Sequence, residues 1–137
     1  MARQILVGYD GSPAAQRALD FALQLARGLG ARVRVLYAVP LPTGSPEAAA
    51  SLLADPEALH PGMAAQITER AAQAGVQADF GAVPGSAGDV LLAEIRQGGV
   101  DQLVIGSSGR GTLARWLLGS VMGQLVGNGQ VPVTVVP

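Results

Sequence analysis

The chain has 137 residues, which suits a single domain over residues 1–137. Hydrophobic residues make up 49% and charged residues 14%, a composition that forms a core and excludes a disordered chain. The net charge of −1 gives no electrostatic attraction to nucleic acid or to an anionic membrane. No apolar run approaches the roughly 20 residues that a membrane-spanning helix needs.

Two residue types are missing, and each absence excludes a kind of chemistry. Without cysteine there are no disulfides, no thiol catalysis and no zinc–thiolate site. Without lysine, neither a Walker-type P-loop nor kinase-type phosphoryl transfer is available. A bound phosphate would therefore rely on backbone N–H groups, hydroxyls, an arginine or a metal ion. The cysteine-free chain, which begins without the regions of a signal peptide, is expected to be cytoplasmic.

The first predicted elements are a strand over 5–9 and a helix that starts after Ser12. Ser12 is a good N-cap, and Pro13 suits the first helical position because it has no N–H to leave unpaired. Gly28 and Gly30 are candidate stops for this helix. Its predicted buried face consists of four apolar residues at helical spacing: Leu19, Ala22, Leu23 and Ala26.

A second strand is predicted over 32–39, with Arg32 and Arg34 on a solvated face or end. The remaining predicted elements are, in chain order, a long connection over 40–62 with a short helical piece around 48–53, a helix over 63–74, a strand over 76–83, a helix introduced by Ser86, a strand over 103–105, a helix from about Ser120, and a strand over 132–136. Apolar strands alternating with helices predict an α/β fold, with a parallel sheet covered on both faces.

Ligands of such sheets bind beyond the carboxyl ends of the strands. The glycine-rich stretch Gly106 to Ser120 begins at such an end, where Gly106 and Gly109 allow backbone N–H groups to approach an anion. Gly119 and Ser120 open the next helix, whose N-terminus also favours phosphate. Arg110 could supply positive charge. On spacing alone, phosphate binding and simple turn formation both stay open for these residues.

The pattern Gly-x2-Gly-x9-Gly-Ser, placed between a buried strand and a Pro-Val-x-Val-Val strand, resembles the ATP-binding motif of the universal stress protein family. The opening run, Ile5 to Ser12, resembles the first strand and turn of that family. The resemblance spans most of the chain and is weakest between Pro40 and Ala65. It implies a three-layer α/β/α sandwich with a five-stranded parallel sheet, Rossmann-like and of the adenine nucleotide alpha hydrolase-like type.

The resemblance also implies positions around the nucleotide. Asp10 would reach the ribose side, although it also suits a turn-forming role ahead of Ser12. The Ala38 backbone would contact adenine, Gly106 would lie near the ribose, and Gly109, Gly119 and Ser120 would lie along the phosphates. Val39, Ile105 and Val121 would line the pocket. The full set implied or considered for nucleotide binding is Asp10, Gly11, Ser12, Ala38, Val39, Ile105, Gly106, Gly109, Arg110, Gly119, Ser120 and Val121.

The function implied by the resemblance is a regulatory module of the stress response that binds ATP, or AMP or ADP, with Mg²⁺ accompanying the phosphates. It is expected to form a homodimer through the C-terminal strand. No catalytic residue or protein metal site is expected, because the single histidine, His60, has no acidic cluster beside it, while slow ATP hydrolysis stays open. The alternative is an interaction module of the same fold that binds no nucleotide.

Overall fold

The computed structural model describes residues 3–39, 62–107 and 131–137. Their elements, in chain order, are β1 (Gln4–Gly8), α1 (Pro13–Leu29), β2 (Arg32–Val39), α2 (Met63–Ala74), β3 (Ala78–Pro84), α3 (Ala87–Arg96), β4 (Gln102–Gly106) and β5 (Val133–Val136). The helices and strands predicted within these ranges are present, with boundaries close to those expected. The predicted short helix around 48–53, the connection over 40–61 and the helix from about Ser120 lie outside the described residues.

The five strands form one parallel sheet in the order β3-β2-β1-β4-β5. Helices α1 and α2 pack on one face of the sheet, over one cluster of buried side chains. Helix α3 packs on the other face, over a second cluster. This arrangement confirms the predicted three-layer α/β/α sandwich. None of the helices in the described ranges is long and apolar enough to cross a membrane.

Helix α1 begins and ends as its sequence predicts. The Ser12 hydroxyl accepts a hydrogen bond from the Ala15 N–H at 3.1 Å, and Pro13 occupies the first helical position. Gly30 ends the helix in the left-handed conformation, at φ 66°, whereas Gly28 lies inside it. The predicted buried face is confirmed, and it is extended by further alanines, Ala14, Ala15 and Ala18. Such small side chains allow the helix to lie close to the sheet.

The end of β4 lies very close to the start of α1. A Cβ atom added to Gly106 would lie 2.6 Å from the carbonyl carbon and oxygen of Ala14 and 2.9 Å from the nitrogen of Ala15. These are backbone atoms of the first turn of α1, so they cannot turn aside as a side chain would. Gly106 therefore has a packing role, because a side chain there would push α1 away from β4.

Two details differ from the sequence predictions. Strand β3 starts at Ala78 and not at Val76, because the Val76 N–H is bonded to the Ala71 carbonyl in the C-terminal cap of α2. Arg32 is exposed, as predicted, whereas the Arg34 side chain is only 32% exposed and lies on the α3 face of the sheet. Its Nε lies 2.8 Å from Glu94 Oε1 and its Nη1 lies 3.3 Å from Asp79 Oδ2, so two carboxylates hold the guanidinium there.

Candidate functional site

The order of the strands identifies where a ligand should bind. The chain moves outward from β1 through β2 to β3, and then crosses the sheet to β4 and β5 on the other side of β1. Strand order thus reverses beside β1, and doubly wound sheets bind ligands at the carboxyl ends of the strands at this point. A small cleft of about 20 Å³ opens there on the α3 face. It is lined by Gly8, Tyr9, Asp10, Leu36, Ala38, Ala87, Val90 and Leu91.

The turn from β1 to α1 forms the polar side of this cleft. Asp10 Oδ1 accepts a hydrogen bond from the Ser12 N–H at 2.9 Å, and Gly11 takes a positive φ of 80° that favours glycine. Asp10 therefore shapes the turn while also lining the cleft. Ser12 uses its hydroxyl to cap α1. The turn-forming role considered for Asp10 from the sequence is confirmed, and it coexists with the position at the cleft.

The Asp10 carboxylate also affects two tyrosines at the ends of β1 and β2. Burial raises the pKa of the Tyr37 hydroxyl, and the negative charge of Asp10 raises it further. Burial is also the main cause that raises the pKa of Tyr9; the carboxylates of Asp20 and Asp10 add to it and the Arg70 guanidinium opposes it. Both phenols are neutral hydrogen-bonding groups at physiological pH.

Four other predicted residues lie within the described part of the chain. Ala38 lines the cleft. Val39 is buried, and its carbonyl accepts a hydrogen bond from the Gly85 N–H at 2.9 Å. Ile105 is fully buried in the cluster under α3, and Gly106 lies against the start of α1. Neither Val39 nor Ile105 is among the residues that line the cleft.

The other half of the predicted site cannot be placed in the same way. Gly109, Arg110, Gly119, Ser120 and Val121 all lie outside the described residues. The expected phosphate-binding positions therefore remain predictions from the sequence.

Helix α3 supplies a wall of the cleft that the sequence analysis missed. Ala87, Val90 and Leu91 are spaced so that they share one face of the helix, and each is buried. Their helical spacing was visible in the sequence. Assigning them to the site needed the crossover from β3 to β4, which places α3 over the ends of β1 and β2.

The described side chains form no candidate metal centre. Across residues 3–39, 62–107 and 131–137, no group of three or more His, Asp or Glu side chains is close enough to hold an ion. Asp10 is the one carboxylate among the residues that line the cleft.

The fold and the geometry thus define a doubly wound α/β protein with a small cleft at its switch point, lined by apolar side chains and one carboxylate. The chain matches the model of the universal stress protein family over residues 1–137. It therefore belongs to the universal stress protein family. No curated protein sequence is similar enough to count as a match.

Solved structures of the same family resemble the chain over nearly its whole length. The universal stress protein UspA from Lactobacillus plantarum is 26% identical, with a TM-score of 0.76, and the match covers 98% of this chain and 97% of that one. A family member from Burkholderia pseudomallei is 28% identical, with a TM-score of 0.70 and coverage of 98% and 95%. A universal stress protein solved in complex with cAMP is 26% identical, with a TM-score of 0.71 and coverage of 98% and 96%.

Proposed function

We propose that this chain is an ATP-binding universal stress protein that acts in the cytoplasm as a nucleotide-dependent regulatory module of the stress response. The observation that carries the proposal is the cleft at the switch point, whose apolar walls surround one carboxylate. The similar structure solved with cAMP supports an adenine nucleotide as the ligand class.

The residues of the cleft suit the base and sugar of such a nucleotide. Leu36, Val90 and Leu91 are nearly fully buried, so they would form the apolar floor beneath a planar ring, and Ala38 leaves room beside them. The Asp10 carboxylate can accept hydrogen bonds, and the adenine amino group and the ribose hydroxyls are donors. The phosphates, with any accompanying Mg²⁺, would be held by the glycine-rich segment that follows β4, through backbone N–H groups and the Ser120 hydroxyl.

We further propose that the nucleotide is bound and not turned over. Hydrolysis needs a group that activates water beside the phosphates, and the one carboxylate of the cleft, Asp10, is instead proposed to accept hydrogen bonds from the base or the sugar. The chain also has no lysine to neutralise charge on a transferred phosphoryl group. Under this proposal the bound state itself carries the signal.

A homodimer through β5 is part of the proposal. β5 lies at the edge of the sheet, and within the described residues it pairs with β4 alone. An edge strand offers backbone N–H and C=O groups that a second copy can pair with. Its four residues, Val133–Val136, are all partly exposed, which suits such a contact.

Two measurements test the ligand. Protein purified and then denatured should release an adenine nucleotide that mass spectrometry identifies. In calorimetry with ATP and Mg²⁺, Ala38→Leu should weaken binding by about tenfold or more because it fills the cleft. Ala93→Leu is the matched control, since Ala93 is exposed on α3 and does not line this cleft. Gly109→Val and Gly119→Val should abolish ATP binding while the fold stays intact.

The same experiments separate this proposal from a nucleotide-free interaction module. A ligand at one hundred times its Kd stabilises the folded state by about 2.7 kcal/mol. ATP with Mg²⁺ should therefore raise the unfolding temperature clearly. A protein that carries no nucleotide and shows no thermal shift would favour the interaction module.

A further inference from the structure

One peptide group in the β1–α1 turn is held at both ends. The peptide that joins Gly11 to Ser12 has its N–H bonded to Asp10 Oδ1 at 2.9 Å. Its carbonyl, which belongs to Gly11, accepts a hydrogen bond from Gln16 Nε2 at 3.2 Å. Rotation of this peptide group would break both bonds, so Gln16 and Asp10 together fix its orientation.

The amide of Gln16 is itself oriented by α2. Arg70 Nη2 donates to Gln16 Oε1 at 3.2 Å, and Arg70 Nη1 is bonded to the Asp20 carboxylate at 3.0 Å. Because a guanidinium only donates, it requires the oxygen of the amide to face α2. The amide nitrogen must then face the Gly11 carbonyl, which is the orientation that holds the turn.

Helix α2 also places a side chain beside the same turn. The Met63 Cε atom lies 3.3 Å from the position that a Cβ of Gly11 would take, and Met63 is buried. Gly11 has no side chain to restrict its own rotation, so the turn depends on contacts of this kind for its shape. Helix α2 is therefore linked to the turn in two ways: Met63 lies beside Gly11, and Arg70 acts through Gln16.

We propose that Gln16 is a positioning residue: it fixes the Gly11–Ser12 peptide so that Asp10 keeps its place at the cleft, and Arg70 makes this depend on the docking of α2. The effect on ligand affinity rests on the proposed nucleotide-binding function. The effect on the turn does not. Reciprocity then requires that a ligand held by Asp10 also favours the docked state of α2.

The test variant is Gln16→Glu, which keeps the size of the side chain but replaces the donating nitrogen with an oxygen. The ionised carboxylate still pairs with Arg70 and so preserves the contact with α2, but it repels the Gly11 carbonyl. Amide hydrogen exchange of Ser12, followed by NMR on the nucleotide-free protein, should become about three- to tenfold faster, the factor that one neutral hydrogen bond contributes. ATP affinity measured by calorimetry should fall by a similar factor.

Two further variants separate positioning from general stability. Arg70→Gln removes the group that orients the amide, and it should speed Ser12 exchange and weaken ATP binding in the same direction. Glu94→Gln is the control, because it removes an ion pair with Arg34 that lies away from the cleft. It should leave both Ser12 exchange and ATP affinity unchanged, even where it lowers the unfolding temperature.

The outcomes are distinct. Unchanged Ser12 exchange in Gln16→Glu overturns the positioning role, whatever the protein binds. Faster exchange with unchanged affinity overturns the link between the turn and the ligand. A wild-type protein that binds no adenine nucleotide overturns the proposed function, while Ser12 exchange still decides whether Gln16 holds the turn.

Discussion

Replacing Gly106 with alanine tests whether this glycine is required by packing. Its φ is not positive, so alanine fits the backbone conformation there, and the change in stability reports the steric contact without added backbone strain. The new Cβ would lie 2.6 Å from the backbone of Ala14, and ordinary contact begins at 3.4 Å, so β4 and α1 must separate by roughly 0.8 Å. Overpacking of this kind costs about 1–3 kcal/mol. For a domain of this size, that corresponds to a fall in Tm of about 3–10 °C.

The matched control is Gly28→Ala. Gly28 lies inside α1, and an added Cβ would meet nothing within 4 Å. Alanine should therefore stabilise the helix by about 0.5–1 kcal/mol. Thermal unfolding followed by circular dichroism, without nucleotide, should move the two variants in opposite directions. A Gly106→Ala protein with the Tm of the wild type or higher would refute the close approach of β4 to α1.

Two further predictions concern titration and helix capping. Because the chain has no lysine and no cysteine, Tyr9 and Tyr37 are the side chains that titrate near pH 10. Their pKa values are raised in the folded protein, so the unfolded chain loses these protons first and stability falls as pH rises above about 10. Tyrosinate absorbance should show both groups titrating above that value, and a double Tyr→Phe variant should lose less stability there; equal loss in the variant would contradict the assignment. Ser12→Ala should cost about 1 kcal/mol because it removes the N-cap of α1. Thr68→Ala, which removes a hydroxyl bonded to the Ala64 carbonyl within α2, is the control and should cost less.

Much of the fold could be predicted because its local signals agree with one another. The cap at Ser12, the proline after it and the left-handed glycine at Gly30 define α1 without reference to the rest of the chain. The central strands β1 and β4 are buried on both sides, as expected of a parallel sheet covered by helices. The start of β3 was less accurate, because whether Val76 pairs with the sheet depends on the cap of α2.

The site was harder to predict because it is assembled from separate elements. Asp10 could be predicted as a site residue because it follows β1, and Ala38 because it lies at the carboxyl end of β2. Val90 could not, because its place at the cleft depends on which face of the sheet α3 covers. The two ion pairs of Arg34 were missed for the same reason: its partners, Asp79 and Glu94, are far away in the sequence.

Gly106 illustrates why loss of binding alone would not identify a ligand contact. The residue begins the glycine-rich segment, yet its missing side chain is already required by the first turn of α1. That turn follows Ser12 and Asp10, so moving α1 also moves the polar side of the cleft. A Gly106→Ala variant that binds ATP poorly could therefore do so without any contact between Gly106 and the nucleotide. The amide hydrogen-exchange rate of Ser12 in the nucleotide-free protein distinguishes the two effects. A shifted α1 changes this rate, whereas loss of a direct contact with the nucleotide does not.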